Sequence, residues 1–186
     1  MSGLHKLARA ALPDAMRKSL GSAALWFEQT IIRWIQGALL DLRGPEFYLD
    51  GCRLTVPKEQ TTRMFRASFF NGSYEASERQ LVRAFVCPND VVLELGACIG
   101  VVSCMTNKIL ADKSRHVVVE GNPFCIPTLH RNRELNQCGF TVENCAVSSQ
   151  RDATFYFHPV CIVGGTTQSD ESSRVARVPV RSLAGA

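Results

Sequence analysis

The chain has 186 residues, 46% apolar and 20% charged, the make-up of a globular domain rather than a disordered or fibrous chain. Its formal net charge of +4 is small and dispersed, with no Lys/Arg block and no basic stripe interleaved with aromatics, so nucleic acid is not an expected partner. The eight cysteines (Cys52, Cys87, Cys98, Cys104, Cys125, Cys138, Cys145 and Cys161) form no C-x-x-C pair and have no His at zinc-finger spacing, so no metal site is expected. Several sit in apolar runs such as "VVSCM" and "ENCAV", where they read as reduced, core-type thiols of a cytoplasmic protein.

Residues 1–45 form a segment of their own. Lys6, Arg9, Arg17 and Lys18 make its start basic, and no compact apolar core with a small-residue cleavage site follows, so a signal peptide is not expected. Its second half is interrupted by Glu28, Arg33 and Asp41 and does not read as a membrane span. Ala24, Phe27, Ile31, Trp34, Ile35, Ala38 and Leu42 recur at helical spacing and predict an amphipathic helix packed on the domain by that stripe. A weak membrane-surface contact or an organelle-targeting role for the basic start are the alternatives.

"FYLDGCRLTVP" predicts a hairpin turning at Asp50-Gly51, and "KEQTTRMFRASFF" a helix stopped by Asn71-Gly72. "SYEASERQLVRAFV" predicts a second helix, capped by Ser73 and buried through Leu81, Val82 and Phe85. After Pro88-Asn89-Asp90 the pattern changes. "VVLEL" is a continuous apolar run, as expected of a strand covered on both faces. "GVVSCMTNKIL" follows as a helix, "HVVVEG" as a strand, "PFCIPTLHRNRELNQCG" as a helix and "FTVENCAV" as a third strand, which is a parallel α/β layout. "ATFYFH" and "RVARVPVRS" are expected to pair as an antiparallel hairpin appended to that sheet after a Gly164-Gly165 turn, with Pro179 confining the second to an edge.

Two of these strands end in a carboxylate. Glu94 closes "VVLEL" and is followed by Gly96, Ala97 and Gly100; Glu120 closes "HVVV" and is followed by Gly121 and Asn122. Ligands of such sheets sit beyond the carboxyl ends of the strands. There Gly96 lets the backbone turn and approach a ligand, Gly100 lets the next helix start close by, Glu94 can meet a cationic group, and Glu120 can accept both hydroxyls of a ribose. The spacing matches neither the G-x-G-x-x-G of dinucleotide sites nor a phosphate loop. A ligand with a ribose, a carboxylate and a cationic centre fits better, and S-adenosylmethionine has all three.

These residues resemble the FkbM-type S-adenosylmethionine-dependent methyltransferases. The matching pieces are "GSYEASERQLV", "DVVLELGACIGVVS", "HVVVEGNP", "LHRNRELN", "ENCAVS", "ATFYFH" and "VPVRSL", from about Phe47 to Leu183. The resemblance implies a Rossmann-like class I methyltransferase fold of the α/β class, with residues 46–186 as its N-terminal half. It implies that Glu94, Gly96 and Gly100 line the methionine end of the cofactor, that Glu120 holds the ribose with Asn122 beside it, and that residues from Asn144 to Ala146 face the adenine. Tyr74-Glu75 match an element that closes over the cofactor, whereas His130 is expected at the surface.

The same resemblance implies a fourth parallel strand after "VPVRSL" that would flank "VVLEL". The expectation is therefore of a domain incomplete at its C-terminus, with "VVLEL" as an apolar sheet edge prone to self-association. The function it implies is methylation of a hydroxyl on a sugar or other small-molecule or glycan acceptor, with a truncated, inactive cofactor-binding or scaffold fragment as the alternative. A nicotinamide-dependent oxidoreductase is disfavoured by the glycine spacing.

Overall fold

The computed structural model describes residues 14–44, 46–148, 153–157, 165–166 and 174–181. The chain begins with a long helix, α1 (Asp14–Leu42), and a two-stranded hairpin, β1 (Glu46–Leu49) and β2 (Cys52–Thr55). Leu49 pairs directly with Cys52, so the turn is the two residues Asp50 and Gly51, both at positive φ (50° and 75°), as a tight hairpin of matching twist requires. Helix α2 (Arg63–Phe70) follows, capped by the Thr62 hydroxyl accepting from the Phe65 N–H at 3.1 Å, and then α3 (Ala76–Phe85).

The central unit alternates strand and helix: β3 (Val92–Leu95), α4 (Val101–Ile109), β4 (His116–Val119), α5 (Ile126–Leu135) and β5 (Thr141–Glu143). The three strands are parallel, in the order β3-β4-β5, with Glu94 opposite Val118 and Val118 opposite Val142. The expected third strand breaks after Glu143. Its remainder, β6 (Ala146–Val147), pairs in parallel with β10 (Val180–Arg181), to which Ala146 and Ser148 donate through the carbonyls of Pro179 and Arg181. β7 (Ala153–Phe157) and β9 (Arg174–Val178) form the expected antiparallel pair. With β8 (Gly165–Thr166) they make a separate three-stranded sheet instead of extending the parallel one. Gly165 is strand; Gly164 lies outside the described residues.

Two expectations about burial are corrected. First, β3 is covered on one face only. Its even residues face α4, where Ser103 and Asn107 meet Glu94 and His116, while Leu93 and Leu95 on the other face are 52% and 51% exposed. Val117, opposite Leu93 on the same face, is exposed too. A continuous apolar run says only that both faces are apolar, not that both are covered.

Second, α1 does not dock by its apolar stripe. Ile31, Trp34, Ile35 and Leu42 are exposed, and the domain is met by Gly37, Leu40 and Asp41. A Cβ on Gly37 would overlap the Arg63 carbonyl, so the missing side chain sets how closely α1 and α2 cross. Asp41 accepts both Arg66 Nε (2.7 Å) and an Arg66 terminal nitrogen (3.0 Å), and that guanidinium holds its carboxyl below the usual range. The side chains of Ala24 and Phe27 lie outside the described residues. No described helix is long and apolar enough to cross a membrane.

The core lies between the hairpin, α2 and the β3–α5 unit, around Phe47, Leu54, Phe69, Tyr74, Ile99, Leu129 and Phe140. A side chain with no part in the expected site ties it together. Asn132, fully buried on α5, accepts from the Thr55 N–H (2.7 Å) and Thr55 hydroxyl (3.1 Å), and donates to the carbonyls of Thr55 (3.2 Å) and Ile99 (2.8 Å). One turn later, Asn136 repeats the exchange with the backbone N–H and carbonyl of Arg53 at 2.9 and 2.7 Å. The two amides act as an extra strand laid along β2.

Candidate functional site

The loops after β3 and β4 meet at Glu120. Its two carboxylate oxygens accept the N–H of Cys98 and the N–H of Asn122, each at 2.6 Å. Glu120 is buried, and Asn144 donates to its backbone carbonyl at 2.7 Å, bringing the loop after β5 to the same point. Burial pushes the Glu120 carboxyl up, and the Asn122 and Cys98 N–H groups pull it part of the way back. A carboxylate has about four acceptor directions, so the two backbone bonds fix its plane and leave capacity for a ligand diol.

The loop Gly96–Gly100 alternates left-handed residues: Gly96 (φ 82°), Cys98 (φ 51°) and Gly100 (φ 81°). The two glycines are required for different reasons. A Cβ on Gly96 would meet nothing within 4 Å, so the backbone there borders open space. A Cβ on Gly100 would overlap the Leu129 side chain, so that glycine serves the contact of α4 with α5 rather than the approach to a ligand. Gly100→Ala is therefore expected to cost about 2–4 kcal/mol of stability, from backbone strain plus overpacking, and Gly96→Ala about 1–2 kcal/mol, from strain alone. Thermal melts of the two variants check the contrast; equal losses would place Gly96 in a packed contact.

Glu94 is less available than its position suggests. Its carboxylate is taken by the Ser103 hydroxyl (2.7 Å) and by His116 Nε2 (3.1 Å), on the α4 face of the sheet. His116 is fully buried, with Asn107 on its other nitrogen and the Phe140 ring 5.4 Å away. The carboxylate supports β3 from the α4 face through these two bonds.

Tyr74 and Glu75 are brought to this loop. Ser73 does not cap α3; Glu75 occupies the cap position at φ 47°, without a capping side-chain bond. Leu81 and Phe85 point to solvent, and the buried residue of α3 is Arg79. Its guanidinium holds the preceding loop through the Tyr74 carbonyl (2.9 Å) and the Gly72 carbonyl, and pairs with Asp50 of the hairpin turn. The Tyr74 ring stacks on Phe69 at 4.2 Å, and its buried hydroxyl has no hydrogen-bond partner.

Ala97 is buried, Gly121 has only the Cys145 carbonyl near its would-be Cβ at 3.7 Å, and the buried Asn122 caps its own loop by accepting the Phe124 N–H at 3.0 Å. His130 is exposed. None of the seven described cysteines is in a disulfide, and Cys161 lies outside the described residues. A separate 250 Å³ hollow is lined by Thr55, Val56, Pro57, Lys58, Glu59 and Thr128 and shares no residue with these loops.

No protein-family model matches the chain, and no curated protein matches it in sequence. Among solved structures it is similar to the tRNA (uracil-54, C5)-methyltransferase of Pyrococcus abyssi in complex with S-adenosyl-L-homocysteine, at 15% identity and a TM-score of 0.40. The match covers 54% of this chain and 23% of that one, and a likeness so distant adds nothing to the geometry above. The chain is built on a three-stranded parallel sheet whose loops gather Cys98, Glu120, Asn122 and Asn144, with Tyr74 and Glu75 reaching Cys98 from the turn before α3.

Proposed function

We propose that the chain is an S-adenosylmethionine-binding methyltransferase domain, or the cofactor-binding part of one. The observation that carries this is Glu120. A carboxylate fixed by two backbone N–H groups, at the end of the middle strand and beside the open space at Gly96, is arranged to accept a ribose diol. The loop of Asn144 lies on the same side and offers the place for an adenine. No phosphate cradle of the dinucleotide or phosphate-loop kind is present in the sequence, which favours a nucleoside ligand without pyrophosphate.

The cofactor, when bound, supplies a methyl group already activated on sulfur. This chain's residues hold and orient it: Glu120 at the ribose, the Gly96 backbone along the ligand, and Cys98 and Asn122 keeping Glu120 in place. The finer reading, transfer to a hydroxyl of a sugar or other small metabolite, takes its support from the FkbM resemblance alone. Calorimetric titration of the chain with S-adenosylmethionine tests the domain-level reading. Saturable binding that Glu120→Ala weakens is expected; no binding, or binding indifferent to Glu120, overturns it.

A further inference from the structure

Helix α1 uses only one of its sides on the domain. It docks by Gly37, Leu40 and Asp41, all within its last two turns. At about 100° of turn per residue, the opposite side of the same turns carries Ile32, Ile35, Leu39 and Leu42, and all four are exposed. Steps of three, four and three residues separate them. That is the rhythm of 3.5 residues by which one α-helix meshes with another of its kind. A row this short would not bring two free peptides together as helices. Here the helix is already formed, because Gly37 and the Asp41–Arg66 pair hold it on α2.

The borders of the row say what can cover it. Ile31 and Ala38 run along one side, Gln36 and Arg43 along the other. The Arg43 guanidinium lies over the Phe70 ring of α2 at 5.2 Å. A bilayer surface calls for lysines and arginines lining the apolar face, and these borders offer one committed arginine. A second copy of the row needs no such lining, since the row itself carries no charge to repel its like. Glu28 takes the helical position before Ile32 and ends the row. Two helices running antiparallel keep the two Glu28 positions apart and bring each to the far end of the other row, beside Arg43. Antiparallel dipoles favour the same direction.

We infer that the free side of α1 is a contact between two copies of this chain, an antiparallel, two-fold pairing of α1 with α1 through Ile32, Ile35, Leu39 and Leu42. Such a contact is isologous and closes at two copies. Covering the row and Ile31 on both copies removes on the order of 1,000 Å² from water, the lower bound for a specific interface, so the dimer is a weak one.

Sedimentation of the full chain over a range of concentrations tests this. A monomer–dimer equilibrium with a Kd on the order of 10 µM is expected for a contact of that size. Ile35→Glu places like charges across the pairing and should weaken the dimer about a hundredfold or more, and Leu39→Glu should do the same. Both side chains are exposed in the single chain, so the variants should melt with wild type at low concentration. Leu93→Lys, on the open face of β3, should leave the dimer intact. A wild-type chain still monomeric at about ten times that Kd overturns the inference. So does assembly that grows past a dimer and survives Ile35→Glu, which would belong to the sheet, and so does a dimer lost in Leu93→Lys but kept in Ile35→Glu. Vesicles of anionic lipid added to the same runs complete the test. A chain that binds them through Ile35 while the vesicle-free sample holds only monomer has a bilayer as its partner, and the pairing is overturned.

Discussion

Replacing Asn132 by alanine should destabilise the protein by about 3–5 kcal/mol, the range for breaking a fully satisfied buried hydrogen-bond network. The amide uses all four of its hydrogen-bonding positions, three on Thr55 and one on the Ile99 carbonyl. Truncation leaves the N–H and carbonyl of the half-buried Thr55 and the buried carbonyl of Ile99 without partners, and it opens a void. The loss also reaches the site, because Ile99 lies inside the Gly96–Gly100 loop. Asn136→Ala is the control. Its bonds to Arg53 are exposed, so water replaces them and the cost should be about 1 kcal/mol. Urea unfolding of both variants decides the matter; equal midpoints would mean that the hairpin is held by packing alone.

The second large effect is expected at Glu120. In Glu120→Ala the N–H groups of Cys98 and Asn122 lose their shared acceptor, which should lower stability by about 2–4 kcal/mol and let the loops after β3 and β4 separate. Relief of the buried charge offsets part of this, since burial already works against the carboxylate. Binding of S-adenosylmethionine should weaken by a further 1–3 kcal/mol or so, from the unpaired ribose hydroxyls. Glu120→Gln separates the two effects. It keeps one acceptor oxygen but turns an NH2 toward one of the backbone N–H groups, so it should melt between wild type and alanine. A melt and a calorimetric titration on each variant suffice. Wild-type affinity in a folded Glu120→Ala would remove Glu120 from the site.

Much of this architecture is legible in the sequence, and the failures have physical causes. The alternation of apolar runs with Gly-punctuated amphipathic segments gives β3 through β5 and their helices, because local periodicity records which residues face a core. Periodicity cannot say which apolar face finds a partner, and so it misleads for α1. There docking is decided by an absence, the side chain missing at Gly37, and by the Asp41–Arg66 pair, 25 positions apart. Ser73 has the right chemistry for a cap, but the loop is set by Arg79, whose long side chain reaches back to the Gly72 and Tyr74 carbonyls. The carboxylates at the strand ends are visible as residues. Glu94 and Glu120 share the same strand parity, so that Glu94 meets His116 while Glu120 reaches the loops is a matter of Glu120 lying beyond the strand end and of long-range pairing. Asn132 stands inside the quoted "LHRNRELN", yet its task becomes visible only when β2 is seen beside it.

The open edge of β3 divides its backbone in time as well as in space. Val92 donates its N–H to the Arg115 carbonyl and Gly96 to that of Val119, so the even residues point toward β4. By the two-residue period of a strand, the amides of Leu93 and Leu95 point the other way, where no described residue pairs with them. Hydrogen–deuterium exchange should therefore split this one strand into two populations, slow at Val92, Glu94 and Gly96 and fast at Leu93 and Leu95. A strand added along that edge, from more of this polypeptide or from a second copy, would slow the fast pair and leave the other three unchanged.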